Sequence, residues 1–145
     1  MQGLEKLKPL ALLLLRAALG VIFVCHGYPK LFGHTHETME GFAHMGLPSY
    51  FAYIAGVIEL FGGFMLLAGL FARIAGLLIA GEMVVALVKV HHIVSEPLVV
   101  HNYEFPLILA AGAFAIAVLG AGAISLDQAL FHEGNASPRR GKKKG

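Results

Sequence analysis

The chain has 145 residues, of which 57% are hydrophobic and only 14% are charged, with a formal net charge of +2. In a typical soluble domain, about a quarter of the residues are charged. This composition therefore argues against an ordinary soluble enzyme and favours an integral membrane protein. No nucleic-acid-binding motif is present, and we expect no nucleic-acid partner. The single cysteine, Cys25, excludes an internal disulfide.

The N-terminal segment shares one feature with signal peptides, since Lys6 and Lys8 precede an apolar run over residues 10–24. A signal peptide would end in a small-x-small cleavage site, whereas this run ends in Val24-Cys25. We therefore expect a retained membrane helix.

Apolar runs predict four membrane-spanning helices, because a helix needs about 20 mostly apolar residues to cross a bilayer. The first covers residues 10–28 and is expected to end at Pro29, because proline cannot continue a helix without losing a hydrogen bond. The second covers residues 50–70, and Ser49 before it is a candidate N-cap.

The third and fourth spans cover residues 72–92 and 105–126, and Pro106 falls in the first turn of the fourth, where proline is tolerated. Four helices with short links predict an all-α fold, an integral membrane antiparallel four-helix bundle within residues 1–127. Residues 128–145 are predicted to form a flexible basic tail.

Basic residues predict the orientation, because they are enriched in cytoplasmic segments. They flank the first span, lie in the turn between the second and third, and fill the tail. Both termini are therefore expected in the cytoplasm. The chain is expected in the inner (plasma) membrane, with membrane lipids as partners. These residues are Lys6, Lys8, Arg73, Arg139, Arg140, Lys142, Lys143 and Lys144.

The first outer loop, residues 33–48, carries Met39, Phe42 and Met45 at three-residue spacing. This spacing predicts a short amphipathic helix that lies against the mouth of the bundle.

Glu59 falls near the middle of the second span, where a charged group is costly unless it faces protein or water and has a partner. Gly62 and Gly63 lie on the same helical face and let another backbone come close. We therefore predict that Glu59 points into a tightly packed bundle.

Arg16, Glu59 and Glu82 are predicted to share one slab of the membrane, at depths of roughly 10, 16 and 13 Å from the cytoplasmic edge. The structural interpretation is a buried ion pair between Arg16 and Glu59 that fixes helix register. The functional interpretation is that one of the two glutamates carries a proton, because burial and a like charge both disfavour a second negative charge. Such a carboxyl beside an arginine could serve a quinone head group or a proton relay.

A second polar set lies at the outer ends of the spans, where His26, Lys30, His92 and Glu104 are expected around an outward-facing mouth. Histidines with a carboxylate can bind a metal ion. However, no HxxxH spacing appears, and the adjacent His91 and His92 point in different directions. Interfacial histidines are therefore favoured over a metal or haem site.

In their order and spacing, these residues resemble the DoxX family, small four-helix membrane proteins of bacteria and archaea, over roughly residues 10–127. Glu82 departs from the resemblance, which leads us to expect an apolar residue there. The matching segments are Leu15-Arg16 to Gly20, His26-Gly27, Lys30-Leu31-Phe32-Gly33, Gly46-Leu47-Pro48, Glu59, Gly62-Gly63, Leu66, Gly69-Leu70, Arg73, Glu104, Gly120-Ala121-Gly122 and Ser125-Leu126-Asp127.

The resemblance implies quinone-linked chemistry, because some relatives are subunits of thiosulfate:quinone oxidoreductases and others associate with redox or detoxifying proteins. Our leading hypothesis is an inner-membrane subunit of a quinone-linked redox system; the sequence leaves the cofactor open, with a quinone as a candidate ahead of haem or a metal. A partner protein or larger membrane complex is expected, because the chain has no evident electron carrier. Arg16 and Glu59 are the predicted catalytic residues, and the predicted substrate-binding residues are His26, Lys30, Glu82, His92 and Glu104.

The alternative is a non-enzymatic structural or assembly subunit, or a homo-oligomer. Its hallmark would be the small-residue face of the fourth span, residues 110–122, buried against a partner. A small carrier is disfavoured, because four spans without helix breaks offer little machinery for alternating access.

Overall fold

The computed structural model describes residues 2–91, 94–95 and 97–131. This part of the chain is helical and contains no strand, so the all-α prediction is confirmed. The helices are α1 (Gln2–Glu5), α2 (Lys8–Phe32), α3 (Thr35–His44), α4 (Phe51–Ala68), α5 (Ala72–Lys89), a 3-10 turn (Val100–Asn102), α6 (Glu104–Leu119) and α7 (Leu126–Phe131).

Close backbone contact joins α2 and α4, which run antiparallel. A Cβ added to Gly63 would lie 2.8 Å from the backbone nitrogen of Val24, and one added to Gly27 would collide with the backbone of Leu60. Only glycine fits such an approach, as at membrane helix contacts. The contact predicted for Gly63 is therefore confirmed.

The helices α5 and α6 are also antiparallel, because Arg73 at the start of α5 donates to the carbonyl of Val118 at the end of α6. One turn further along α5, a Cβ on Gly76 would lie 2.7 Å from the carbonyl oxygen of Ala113. The apolar core lies where the four long helices meet. Its fully buried side chains include Phe23, Leu66, Ile79, Ala113 and Ile116.

Two of the described helices, α2 and α4, are long and apolar enough to cross a membrane. The helix α6 is apolar but has 16 residues, and α5 has 18 residues that include Arg73, Glu82 and Lys89. The predicted fourth span therefore ends at Leu119 rather than at residue 126. Gly120 stops the helix with φ +85°, and Arg73 binds the last carbonyls.

Two local predictions were wrong. Pro29 does not end α2, which continues to Phe32, because only one hydrogen bond is lost and the Pro29 carbonyl still accepts from Gly33 at 3.1 Å. Ser49 does not cap α4 with its side chain, since the turn before the helix uses backbone carbonyls instead. The N–H of Phe51, for example, donates to the carbonyl of Pro48 at 3.0 Å.

Candidate functional site

A cavity of about 580 Å³ lies between α3, α4 and α5, close to the end of α2. Its walls are almost entirely apolar, and its charged groups are Lys30, Glu59, Glu82 and Lys89. Concave apolar cavities with a few polar groups are typical of ligand sites. The remaining lining residues are Phe42, Met45, Leu47, Phe51, Ile54, Ala55, Ile58, Gly81, Met83, Val85, Ala86 and Val90.

Lys30 and Glu59 form a buried ion pair in this cavity, with Lys30 Nζ 2.5 Å from Glu59 Oε2. The Glu59 side chain is 4% exposed and that of Lys30 is 22% exposed. Lys30 lies against α4 because Gly56, three residues before Glu59, has no side chain; a Cβ there would be 3.1 Å from the Lys30 Cβ. The prediction that Glu59 is buried is therefore confirmed, with Lys30 as its partner.

Glu82 enters the same cavity from α5. It is half-buried, and its Oε2 atom is buried without a hydrogen-bond partner among the described residues. It interacts electrostatically with both Glu59 and Lys30. The structure thus brings together three of the predicted site residues, one from each of α2, α4 and α5.

The cavity is covered by α3, the amphipathic helix that the loop spacing predicted. Phe42 on this helix and Met45 directly after it face the cavity, and Leu47 extends the same apolar surface. The predicted helix against the bundle mouth is confirmed, and it supplies part of the cavity wall.

Arg16 does not pair with Glu59, so that part of the predicted site was wrong. Arg16 is 1% exposed, and its guanidinium donates to the carbonyls of Leu66 at 3.0 Å and Ile124 at 2.5 Å. Leu66 lies seven residues after Glu59, about 10 Å further along α4. The arginine therefore binds one carbonyl at the end of α4, where a cation is favoured, and one carbonyl in the segment after α6.

Asp127 completes this second polar cluster at the opposite end of the bundle from the cavity. Its carboxylate accepts from the backbone N–H groups of Phe71 at 2.7 Å and Ala72 at 3.1 Å, at the start of α5. Carboxylates at helix N-termini accept hydrogen bonds from free backbone N–H groups and interact favourably with the positive end of the helix dipole. Together, Arg16 and Asp127 hold the α4–α5 turn against the segment after α6, which indicates a structural role.

Two other predicted mouth residues, His26 and Glu104, do not line the cavity. His26 is exposed and its Nδ1 is 2.7 Å from the carbonyl oxygen of Ile22 on its own helix. Glu104 is also exposed, and its Oε1 is 3.3 Å from Nδ1 of His101. His92 lies outside the described residues, as does the tail beyond Phe131.

No cluster of three histidine, cysteine, aspartate or glutamate side chains with metal-binding geometry occurs in the described ranges. The cavity has four charged groups on an otherwise apolar wall: Lys30, Glu59, Glu82 and Lys89. Their chemistry, ammonium and carboxyl groups facing apolar walls, fits the head group of an amphiphile better than a free ion.

Sequence reasoning missed the Lys30–Glu59 pair and the structural role of Asp127. In the structure, the last turns of α2 run beside the start of α4 and place Lys30 next to Gly56, which is three residues or about 4.5 Å before Glu59 and therefore within reach of a lysine side chain. Ending α2 at Pro29 concealed this, because Lys30 then falls in a loop. Asp127 belongs to the Ser125-Leu126-Asp127 segment of the DoxX resemblance, but no local pattern indicated its contact with the start of α5.

Membrane-length helices and a buried ion pair inside an apolar cavity are typical of small helical membrane proteins. The DoxX profile matches residues 11–92, and the chain belongs to the DoxX family, whose members are membrane proteins. The resemblance predicted from the sequence is thereby confirmed.

Three relatives cover most of this chain. It is 35% identical to "Putative oxidoreductase CatD" of Bacillus subtilis over 133 residues, which cover 92% of this chain and 90% of that protein. It is 26% identical to the inner membrane protein YqjF of Escherichia coli, with 88% and 97% covered. It is 32% identical to the inner membrane protein YphA of E. coli, with 83% and 91% covered. No solved structure matches the chain.

Proposed function

We propose that this chain is a multi-pass inner-membrane protein whose cavity under α3 binds a quinone for a membrane redox system. The observation that carries the proposal is the Lys30–Glu59 ion pair, with Glu82 beside it, in an otherwise apolar cavity of about 580 Å³. The similarity to a Bacillus protein named as an oxidoreductase and to two inner membrane proteins supports the redox role and the location.

The proposal that α2, α4, α5 and α6 all cross the membrane is supported by their outer faces. Large apolar side chains more than half exposed occur on each of these helices, as expected for lipid contact. On α5, Glu82 lines the cavity, and Arg73 and Lys89 are near the two ends of the helix, where long cations reach the interface. Examples of the exposed residues are Leu14, Phe61, Leu77, Ile108 and Phe114.

We further propose that both termini are cytoplasmic and that α3 lies on the outer side. Lys8 and Arg73 belong to the end of the bundle that holds Arg16 and Asp127, whereas the cavity and α3, which covers it, are at the other end. An excess of basic residues marks the cytoplasmic end. The quinone site would then lie in the outer half of the membrane.

The residues present fit a quinone in two respects. The walls supplied by α3, α4 and α5 suit an isoprenoid tail, and the polar end holds the Lys30–Glu59 ion pair beside Glu82, whose carboxyl can bond carbonyl or hydroxyl oxygens. A bound quinone supplies two-electron, two-proton redox chemistry, for which the protein contributes binding and orientation. The electrons would come from a partner oxidoreductase.

The test is binding of a short-tailed benzoquinone and a short-tailed naphthoquinone to the purified protein in lipid nanodiscs. We expect saturable binding that Lys30→Met weakens about 10-fold or more, because Glu59 is left unpaired in the cavity and the contact between α2 and α4 that shapes the cavity wall is weakened. The control is Lys8→Met, since Lys8 is exposed at the opposite end and pairs with the exposed Glu5. Absence of binding by the wild-type protein to either quinone would refute the proposal.

The alternative proposal, an assembly subunit, depended on a free small-residue face on α6. Part of that face packs within the chain, where Ala113 meets Gly76 of α5. Glu59→Gln separates the two proposals. Loss of quinone binding with an intact native complex favours the redox role, whereas loss of the complex with quinone binding retained favours assembly.

A further inference from the structure

We infer that Glu82 is the residue that hydrogen-bonds the head group of the ligand, while the Lys30–Glu59 pair positions the wall around it. The inference deepens the proposed quinone function and rests on it. It assigns a specific role to a residue at which the DoxX resemblance leads us to expect an apolar side chain.

The first observation is that Glu82 has a buried oxygen atom that forms no hydrogen bond within the described part of the chain. Its Oε2 atom is buried and has no hydrogen-bond partner there. A buried polar group without a partner destabilises a protein, because it has lost its bonds to water. A ligand in the cavity would restore the missing hydrogen bond, since Glu82 lines that cavity.

The second observation is that the other buried charges are already paired. The Lys30 ammonium is 2.5 Å from Glu59, and moving it to a ligand would leave the Glu59 carboxylate, 4% exposed, without its cation. Breaking such a buried pair is costly. The Lys30–Glu59 pair is therefore better suited to hold α2 against α4 than to exchange partners with a ligand.

The side chains around Glu82 leave its buried oxygen available for a hydrogen bond with a ligand. From α2 and α4 it faces Lys30 and Glu59, and from the α3 side the cavity wall is formed by Phe42 and Met45, neither of which has a side-chain hydrogen-bond donor. Lys89 on the same helix is seven residues away, about 10 Å along the axis. No ion pair joins Lys89 to Glu82 in the described part of the chain.

A carboxyl group suits both redox forms of a quinone. When protonated, it donates to a quinone carbonyl, and with its remaining oxygen lone pairs it accepts from a quinol hydroxyl. Glutamine retains one donor group and one acceptor, whereas leucine retains neither and matches the apolar wall. Glu82→Gln and Glu82→Leu therefore separate hydrogen bonding from the mere filling of space.

The experiment measures quinone affinity and thermal unfolding without quinone for wild type, Glu82→Gln, Glu82→Leu and the control Glu5→Leu, all in nanodiscs. We expect Glu82→Leu to weaken binding about 10-fold or more and to raise the unfolding midpoint, because an unpaired buried carboxyl is removed. Glu82→Gln should bind within about 3-fold of wild type. Glu5→Leu should leave the affinity unchanged, because Glu5 is exposed at the far end.

The outcomes are distinct. If wild type binds quinone and Glu82→Leu binds equally well, the role of Glu82 is refuted while the proposed function stands. If Glu82→Gln loses as much affinity as Glu82→Leu, or Glu82→Leu lowers the unfolding midpoint, the hydrogen-bonding role is also refuted. If wild type binds neither quinone, both the function and this inference fail.

Discussion

We expect substitutions of Lys30 and Glu59 to have strongly non-additive effects on the free energy of unfolding. Lys30→Met would leave the Glu59 carboxyl, 4% exposed, without a cation, at a cost of about 3 kcal/mol in the free energy of unfolding. Glu59→Leu should cost less, about 1–2 kcal/mol, because the 22% exposed Lys30 side chain can extend toward water. The two single changes are therefore predicted to be unequal.

The double variant Lys30→Met/Glu59→Leu should recover most of the loss. Replacing both members of a buried pair with apolar groups of similar size is often neutral, because neither charge remains to be desolvated. We expect its loss of stability to be no more than about 1 kcal/mol, which gives a coupling energy of about 3–5 kcal/mol.

The assay is a double-mutant cycle measured by reversible unfolding with SDS in mixed micelles. The matched control is the cycle Lys8→Met and Glu5→Leu, because that pair is solvent-exposed, with both side chains about two-thirds exposed. Its coupling should be below about 1 kcal/mol. If the Lys30–Glu59 coupling is no larger than that of Lys8–Glu5, the assignment of a buried functional pair is wrong.

Three further predictions concern the rest of the fold. Gly63→Ala should lose about 2 kcal/mol of unfolding free energy through collision with α2, whereas Gly41→Ala, with open space around it, should gain up to about 1 kcal/mol; equal effects would contradict the close helix contact. Arg16→Met should cost about 3 kcal/mol, because two carbonyls lose a charged donor; retained thermal stability would argue against the structural role. Asp127→Asn should cost about 1 kcal/mol at the start of α5, measured in the same SDS titration, and a gain in stability would oppose the capping assignment.

The sequence alone determined the features that depend on local pattern. The hydrophobic runs located the long helices to within a few residues at most ends, because burial of an apolar surface and helical hydrogen bonding act over short segments. The spacing of Met39, Phe42 and Met45 located α3. The cost of a lone charge in an apolar helix was enough to predict that Glu59 is buried.

The tertiary structure decided which groups meet. The estimated depths of the residues in the membrane predicted that Arg16 lies near Glu59. In the structure, the antiparallel packing of α2 and α4 places Lys30 beside Glu59 instead. Arg16 binds carbonyls 50 and 108 residues away in the chain, at Leu66 and Ile124. No local pattern encodes such contacts, because they follow from how the helices pack, how far α2 continues beyond Pro29 and where Gly120 stops α6.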